Sequence, residues 1–131
     1  MPDFGFPKKL RLSSSAEFQR VFKNASYRVS CRYILVLAVK NDLAHPRLGL
    51  VIGKKHASKA VQRNLIKRVL RNSFRLNQDL LPSVDIVILA RSNVCSLDKT
   101  ELSYWIGKMW ESLNKKHAAS DISNIPGDRA P

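Results

Sequence analysis

Two apolar segments of strand length enclose a long basic amphipathic segment between residues 48 and 90. The apolar segments are residues 48–52 and 84–90, and residues 57–75 between them repeat apolar side chains at helical spacing. This order predicts two parallel strands joined by a helical crossover, because parallel strands need a connection of a dozen or more residues. A third apolar run, residues 33–39, predicts a strand that is buried on both faces. We therefore expect an α/β (α+β) fold in which helices pack on one mixed sheet, with residues 48–52 as a central strand.

Two helices are expected outside this unit. Ser14 with Glu17, and Asp98 with Glu101, have the spacing of a capping box, which predicts helices over about residues 14–24 and 98–115. Residues 1–12 are expected to form an extended basic arm. We predict a single domain over residues 1–116 and a disordered tail over 117–131, where Pro, Gly and polar residues accumulate.

Positive charge is concentrated in the first part of the chain. The formal net charge is +13. Residues 1–75 carry 17 Lys and Arg against three acids, whereas residues 76–131 carry six against seven. A charge this large and this uneven predicts a polyanionic partner that contacts the first part of the chain.

The predicted helix over 57–75 carries a ridge of cations four residues apart. No carboxylate occurs between Asp42 and Asp79. Like charges four residues apart each cost roughly a few tenths of a kcal/mol, so an ordinary solvated face would alternate signs. The ridge favours a phosphate backbone as the source of the missing negative charge. Its members are Lys59, Arg63, Lys67, Arg71 and Arg75, and the predicted apolar side is Val61, Leu65, Ile66 and Val69.

Three other functions fit parts of this pattern less well. A basic amphipathic helix can lie on an anionic membrane, but here its apolar side is needed to cover the sheet. An autonomous nuclease needs clustered carboxylates for its metal ions, and the basic region has none. Composition alone leaves a structural RNA-binding protein, such as a ribosomal protein, as an open alternative. Cys31 and Cys95 lie far apart without a metal-ligand pattern, so we expect buried reduced thiols, with a single disulfide as the alternative. The sequence has no signal-peptide pattern and its longest apolar run, residues 33–39, is too short to span a bilayer, so we expect a soluble cytoplasmic protein.

The basic segment resembles the signature of the bacterial ribonuclease P protein subunit. The similarity lies in Lys59-Ala-Val-x-Arg63-Asn64-x-x-Lys67-Arg68-x-x-Arg71, preceded by Arg47-Leu-Gly-Leu-Val-Ile-Gly-Lys-Lys55. It extends over roughly residues 8–115. The resemblance implies a small two-layer sandwich with a four-stranded mixed sheet, about three helices and an unusual left-handed crossover.

The resemblance also implies a function. The family's protein binds a large catalytic RNA, and that RNA removes the 5′ leader of precursor tRNA with the help of Mg²⁺ ions. We therefore expect the catalytic RNA and precursor tRNA as partners, no catalytic residue in the protein, and no metal or small molecule bound by the protein alone.

Two groups of site residues follow from the resemblance. The residues that match the RNA-binding signature are Lys54, Lys55, Lys59, Arg63, Asn64, Lys67, Arg68 and Arg71. The residues expected to line a cleft for the single-stranded leader are Phe18, Phe22, Tyr33, Arg11 and Arg91. From helical spacing alone, Phe18 and Phe22 would be core residues instead. Trp105 and Trp110 on the last predicted helix are expected to be packed or partly exposed, with a role as stacking platforms as the alternative.

Overall fold

The structure, a computed structural model, describes the backbone of residues 8–123 and the side chains of residues 8–119. The helices are α1 (Ser15–Asn24), α2 (Ala60–Asn77) and α3 (Lys99–Ser123). The strands are β1 (Tyr27–Ser30), β2 (Ile34–Lys40), β3 (Arg47–Val51) and β4 (Val84–Ala90). Short 3-10 turns occur at Lys8–Leu10, Gln78–Leu80 and Val94–Ser96. The predicted α+β fold, with three helices and a four-stranded mixed sheet, is confirmed within the described residues.

The ends of the chain differ from the sequence expectation. From Leu10 onward the predicted arm is packed rather than extended, because Leu10 and Leu12 are buried and the Leu12 N–H donates to Leu48 O at 2.9 Å. Helix α3 continues past the predicted end at Lys115 to Ser123. Residues 1–7 of the predicted arm and 124–131 of the predicted tail lie outside the described residues.

The four strands form one sheet in the order β1-β2-β4-β3. Strands β3 and β4 are parallel neighbours joined by α2, as predicted, whereas β1–β2 and β2–β4 are antiparallel. The prediction that residues 48–52 form a central strand is wrong, because β3 lies at the edge of the sheet. Strand β4 comes later in the chain but is inserted between β2 and β3, and that pairing is invisible to local sequence patterns. The left-handed sense of the crossover stays a prediction.

The two faces of the sheet are covered by different helices. Alternate residues of β2 and β4, such as Val36 and Ile88, join α2 and α3 in the main core. The intervening residues, Leu37, Val39 and Val87, form a smaller cluster with Val21 of α1. We call the side of the sheet that carries this smaller cluster the α1 face. Both central strands are therefore buried on both sides, which explains their continuous apolar sequences.

Capping boxes start α1 and α3 as predicted. Glu17 accepts hydrogen bonds from the Ser13 and Ser14 N–H groups, and the Glu17 N–H donates to Ser14 Oγ. Asp98 and Glu101 form the equivalent reciprocal pair, at 3.0 and 2.8 Å. These bonds satisfy N–H groups that the first turn of a helix leaves without intrahelical partners.

A buried carboxylate on the α1 face ties α1 to the sheet. Asp85 of β4 is 0% exposed. Its Oδ1 accepts hydrogen bonds from Arg47 Nε (2.9 Å) and Asn41 Nδ2 (2.8 Å), and its Oδ2 from Arg47 Nη2 (2.8 Å) and Arg20 Nη1 (2.9 Å). Arg47 also reaches Glu17 of α1 at 2.8 Å. Two α1 side chains are thereby linked to one buried charge.

This network lowers the pKa of both carboxylates. Burial alone would raise the pKa of Asp85, but hydrogen bonds from Arg47 and Asn41 and the positive charges of Arg47 and Arg20 outweigh burial and keep that pKa below its ordinary value. The backbone N–H groups of Ser13 and Ser14 lower the pKa of Glu17. Because both groups bind protons less readily in the folded state, they stabilise the fold at neutral pH and lose that contribution in acid.

A second contact sets the distance between α1 and the sheet. A Cβ added to Gly49 of β3 would lie 2.6 Å from Phe18 Cζ and 3.1 Å from Leu12 Cδ1. Real Cβ atoms do not approach carbon this closely, so the Phe18 ring packs directly on the backbone of β3. Glycine is needed at position 49 for close approach of an aromatic ring.

Two further expectations concern the cysteines and the membrane. Cys31 and Cys95 are free thiols. The expectation that both are buried is wrong, since Cys95 is exposed on the turn after β4 and Cys31 is half-buried. None of the helices in the described part of the chain combines the length and the apolar character needed to cross a membrane.

We predict that Asp85→Ala lowers the free energy of unfolding by about 3 kcal/mol at neutral pH, because it leaves buried donors of Arg47 and Asn41 without an acceptor. Urea denaturation measures this loss. The difference from wild type should begin to shrink as the pH falls below about 4, the ordinary pKa of an Asp carboxyl in an unfolded chain. It should continue to shrink until the native carboxylate, whose pKa is lower, is also protonated. Asp42→Ala, at an exposed carboxylate, is the control and should change stability by less than about 0.5 kcal/mol. Equal unfolding midpoints for the two variants would contradict the tethering role.

We further predict opposite effects for two glycine substitutions. Gly49→Ala should destabilise the protein by about 1–2 kcal/mol, because the Phe18 ring must move off the sheet. Gly107→Ala should stabilise it by up to about 1 kcal/mol, because Gly107 lies within α3 and its added Cβ meets nothing within 4 Å. Thermal unfolding of both variants tests the pair, and a stabilising Gly49→Ala would disprove the packing argument.

Candidate nucleic-acid interface

The eight residues of the predicted RNA-binding signature lie on one loop and the helix that follows it. The loop of residues 53–59 leaves the end of β3, and the buried Ala57 fixes it to the main core. Lys54, Lys55, Lys59, Asn64 and Arg68 are exposed, whereas Arg63, Lys67 and Arg71 are half-buried. We call this surface of loop and helix the basic face.

Helix α2 packs on the sheet through one side and presents the basic face on the other. Its buried residues are Ile66, Val69, Leu70 and Phe74. The prediction that Val61 belongs to the apolar side is wrong, since Val61 is 73% exposed. It lies in the first turn, which precedes the part of the helix that meets the core. Helical spacing identifies a face but does not show where along the helix the neighbouring layer begins.

Arg63 holds the loop against the start of α2. Its Nη1 donates hydrogen bonds to Ala57 O at 2.9 Å and Ser58 O at 3.0 Å. This arrangement fixes the path of the loop that carries Lys54 and Lys55. The RNA contact of Arg63 stays a prediction, whereas its support of the loop became visible only in the three-dimensional structure.

The start of α2 accumulates positive charge. Lys59 occupies the N-cap without a side-chain cap, and the first turn contains no acidic residue. The positive end of the helix dipole therefore adds to the charges of the neighbouring lysines. Among the described residues, no salt bridge involves Lys54, Lys55, Lys59, Lys67 or Arg68. This combination suits phosphate groups, which can accept hydrogen bonds from the lysine and arginine side chains.

A partly open apolar strip lies beside α1 at the other end of the sheet from Asp85. Helix α1 buries Leu37 and Val87, but the next cross-strand row, Leu35–Leu89–Val51, stays half-buried to exposed. We call this row the α1 strip. Phe18 of α1 packs on this face, and Phe22 lies one turn further along the same helix.

The predicted leader residues divide between two places. Phe18 is half-buried against the α1-face cluster, and Phe22 is 38% exposed. Tyr33, in contrast, packs against the main core, and its ring centroid lies 5.6 Å from that of Trp105 in α3. Strict alternation along β2 would place the side chain of Tyr33 on the same face of the sheet as that of Leu35. Tyr33 precedes the strand, however, and its side chain does not follow this alternation.

The two predicted arginines lie at opposite ends of the α1 face. The Arg91 N–H donates to Tyr33 O at 2.8 Å, and Arg91 Nη1 donates to Cys31 O at 3.0 Å. Arg91 therefore joins the end of β4 to the β1–β2 turn beside the α1 strip. Arg11 forms an isolated bridge with Leu48 where the chain approaches α1.

In the described part of the chain, no three His, Cys, Asp or Glu side chains come together in a way that could hold a metal ion. Asp85, which sequence reasoning missed as a structural residue, uses both of its oxygens on Arg and Asn donors. A carboxylate inside the continuous apolar run of β4 was the available signal, because such a residue is rarely buried unless it is paired.

The family model and the sequence relatives that match this chain all belong to the ribonuclease P protein family. A family model described as Ribonuclease P matches residues 6–114. The ribonuclease P protein component of Chromohalobacter salexigens is 42% identical over 126 residues, covering 96% of this chain and 98% of the relative. That of Ectopseudomonas mendocina is 45% identical over 123 residues, covering 94% and 92%.

Solved structures agree with the sequence relatives. The RNase P protein of Staphylococcus aureus superposes with a TM-score of 0.71 at 29% identity, covering 81% of this chain and 93% of that one. The RNase P protein of Thermotoga maritima gives a TM-score of 0.70 at 29% identity, with 78% and 96% covered.

Proposed function

The chain belongs to the ribonuclease P protein family and acts as a subunit of ribonuclease P, and on this premise we propose how it serves that enzyme. The basic face anchors the catalytic RNA, and the α1 face receives the single-stranded 5′ leader of precursor tRNA. The family membership also decides against the structural RNA-binding alternative that composition left open, because the matched relatives are components of a tRNA-processing nuclease.

The observation that carries the anchoring role is the basic face itself. It carries cations on successive turns of α2 without carboxylates among them. Contact with a phosphate backbone removes the repulsion between these cations and releases counterions from the RNA. The exposed Lys54, Lys55 and Arg68 contribute charge, and the guanidinium of Arg68 can also grip two phosphate oxygens at once. The amide of Asn64 can donate and accept, which suits a ribose or base edge.

The α1 strip supports the leader-binding role. Leu35, Leu89 and Val51 leave an apolar floor beside α1, and the exposed ring of Phe22 adds an aromatic face on that helix. Unpaired bases stack on aromatic faces with little sequence preference, as an enzyme that processes many different leaders requires. Arg91 supplies a positive charge at the end of this strip, and Arg11 supplies one where the chain enters α1.

In this proposal the catalytic RNA performs the cleavage and its Mg²⁺ ions supply the metal chemistry. The protein binds and orients the substrate, and none of its residues takes part in bond breaking. Its partners are the catalytic RNA and precursor tRNA. A cytoplasmic location is part of the proposal, because both cysteines are free thiols, as is usual in that compartment.

The decisive experiment combines the protein with precursor tRNA at low Mg²⁺ concentration, with and without the catalytic RNA. We expect cleavage when the RNA is present, stimulation of that cleavage by the protein, and no product from the protein alone. Product formed by the protein without the RNA would overturn the proposal in favour of an autonomous nuclease.

We predict that Lys67→Ala and Arg68→Ala each lower the affinity for the catalytic RNA and reduce the slope of log K against log salt by about one unit, because each removes one phosphate contact. Filter binding over a range of salt concentrations measures the slope. Lys115→Ala, at an exposed lysine of α3, is the matched control and should keep the wild-type slope. Unchanged slopes in both α2 variants would place the basic face away from the RNA.

A further inference from the structure

Three aromatic side chains form a contiguous group at the surface where α3 meets the β1–β2 turn. The ring centroids of Tyr33 and Trp105 are 5.6 Å apart at an interplanar angle of 51°. Those of Trp105 and Tyr104 are 5.5 Å apart at 80°. We call Tyr33, Trp105 and Tyr104 the aromatic cluster.

A cation lies at each end of this cluster. The guanidinium carbon of Arg32 is 5.9 Å from the centroid of the Tyr33 ring. The ammonium of Lys108 is 5.6 Å from the centroid of the Tyr104 ring, and it also lies 3.8 Å from a carboxylate oxygen of the exposed Glu111. Aromatic faces alternating with exposed cations suit single-stranded nucleic acid, where bases stack and phosphates pair with cations.

Comparison of the two tryptophans of α3 shows that this cluster is not simply core. Trp110 is 3% exposed, packs edge-on against Phe74, and donates its indole N–H to Ser73 Oγ at 2.9 Å. Trp105 is only half-buried, and its ring contacts those of Tyr33 and Tyr104. Tyr104 is 57% exposed. Helix α3 packs on the main core through other residues, so this packing does not require the outer faces of the Tyr104 and Trp105 rings.

The position of the cluster points to the precursor leader as its occupant. The carbonyl of Tyr33 accepts a hydrogen bond from the backbone N–H of Arg91, and Tyr33 precedes Leu35 of the α1 strip by two residues. Arg91 and Arg32 therefore lie between the α1 strip and the aromatic cluster, at the same end of the sheet. The α1 strip and the aromatic cluster lie on opposite faces of the sheet. An unpaired strand that leaves the α1 strip at this end would therefore pass around the end of the sheet, beside these two arginines, to reach the three rings.

We propose that the aromatic cluster, with Arg32 and Lys108, is a second stacking site for unpaired nucleotides of the precursor leader, beyond those held at the α1 strip. This inference rests on the proposed leader-binding function and extends it to a surface of α3. The site adds affinity only for leaders long enough to reach past the β1–β2 turn. It thus makes recognition dependent on leader length.

The test measures binding of precursor tRNA to the reconstituted ribonucleoprotein. Two precursors are compared, with leaders of about 4 and about 16 nucleotides, because protein domains that bind single strands contact between about 4 and about 16 nucleotides. The variants are Tyr104→Ala and Trp105→Leu, the second of which keeps an apolar side chain against Tyr33. Leu80→Ala, at an exposed apolar residue far from α3 in sequence, is the surface control. Urea midpoints confirm that each variant folds.

We expect both cluster variants to weaken binding of the long-leader precursor on the order of tenfold, as the loss of one stacked base implies. Binding of the short-leader precursor, of mature tRNA and of the catalytic RNA should stay at wild-type values. Phe22→Ala, which tests the proposed function instead, should weaken binding of both leader lengths.

The possible failures are distinguishable. If Phe22→Ala weakens binding and the cluster variants do not, the second site is overturned and the leader-binding function stands. If Phe22→Ala has no effect while the cluster variants still weaken long-leader binding, the α1 strip is overturned and the second site stands. Weaker binding of the catalytic RNA alone, or a wild-type dimer that the cluster variants convert to monomer in sedimentation, would overturn the leader as occupant.

Discussion

The carboxylate of Asp85 determines where α1 lies, and the arrangement of the α1 face depends on that position. A buried charge is costly unless it is paired, and here three side chains from three parts of the chain supply the pairing. Two of its partners attach α1: Arg20 belongs to that helix, and Arg47 also pairs with Glu17 of the helix. Because this attachment is at one end of the sheet, α1 covers that end and leaves the α1 strip partly open at the other.

The two faces of the sheet therefore carry different kinds of surface. The main core fixes α2 so that its cations point outward as one basic face, which needs no precise cleft because phosphate binding depends mainly on charge. The α1 face has few buried residues and an exposed aromatic ring, which suit stacking of unpaired bases. Arg91 and the β1–β2 turn lie at the end of the sheet next to the α1 strip. The proposed leader path continues there to the aromatic cluster on α3.

Most secondary structure could be predicted because its signals are local. The capping boxes at Ser14 and Asp98 and the apolar run of β4 each depend on neighbouring residues, and their predicted positions were close to the observed ones. The edge position of β3, the exposure of Val61 and the pairing of Tyr33 with Trp105 were not predictable in this way. Each depends on which distant segment lies alongside, and periodicity contains no information about that neighbour.

The sequence by itself indicated most of the elements, predicted a polyanionic partner and identified the family. Charge and helical spacing are properties of adjacent residues, so the basic face could be read before any fold was known, and the signature around Arg63 identified the family. Only the tertiary structure decided how far α1 covers the sheet and which aromatic rings reach the surface together. These features arise from contacts between residues far apart in the chain, such as Phe18 with Gly49 and Arg20 with Asp85. Such contacts exist only once the sheet has brought its strands together.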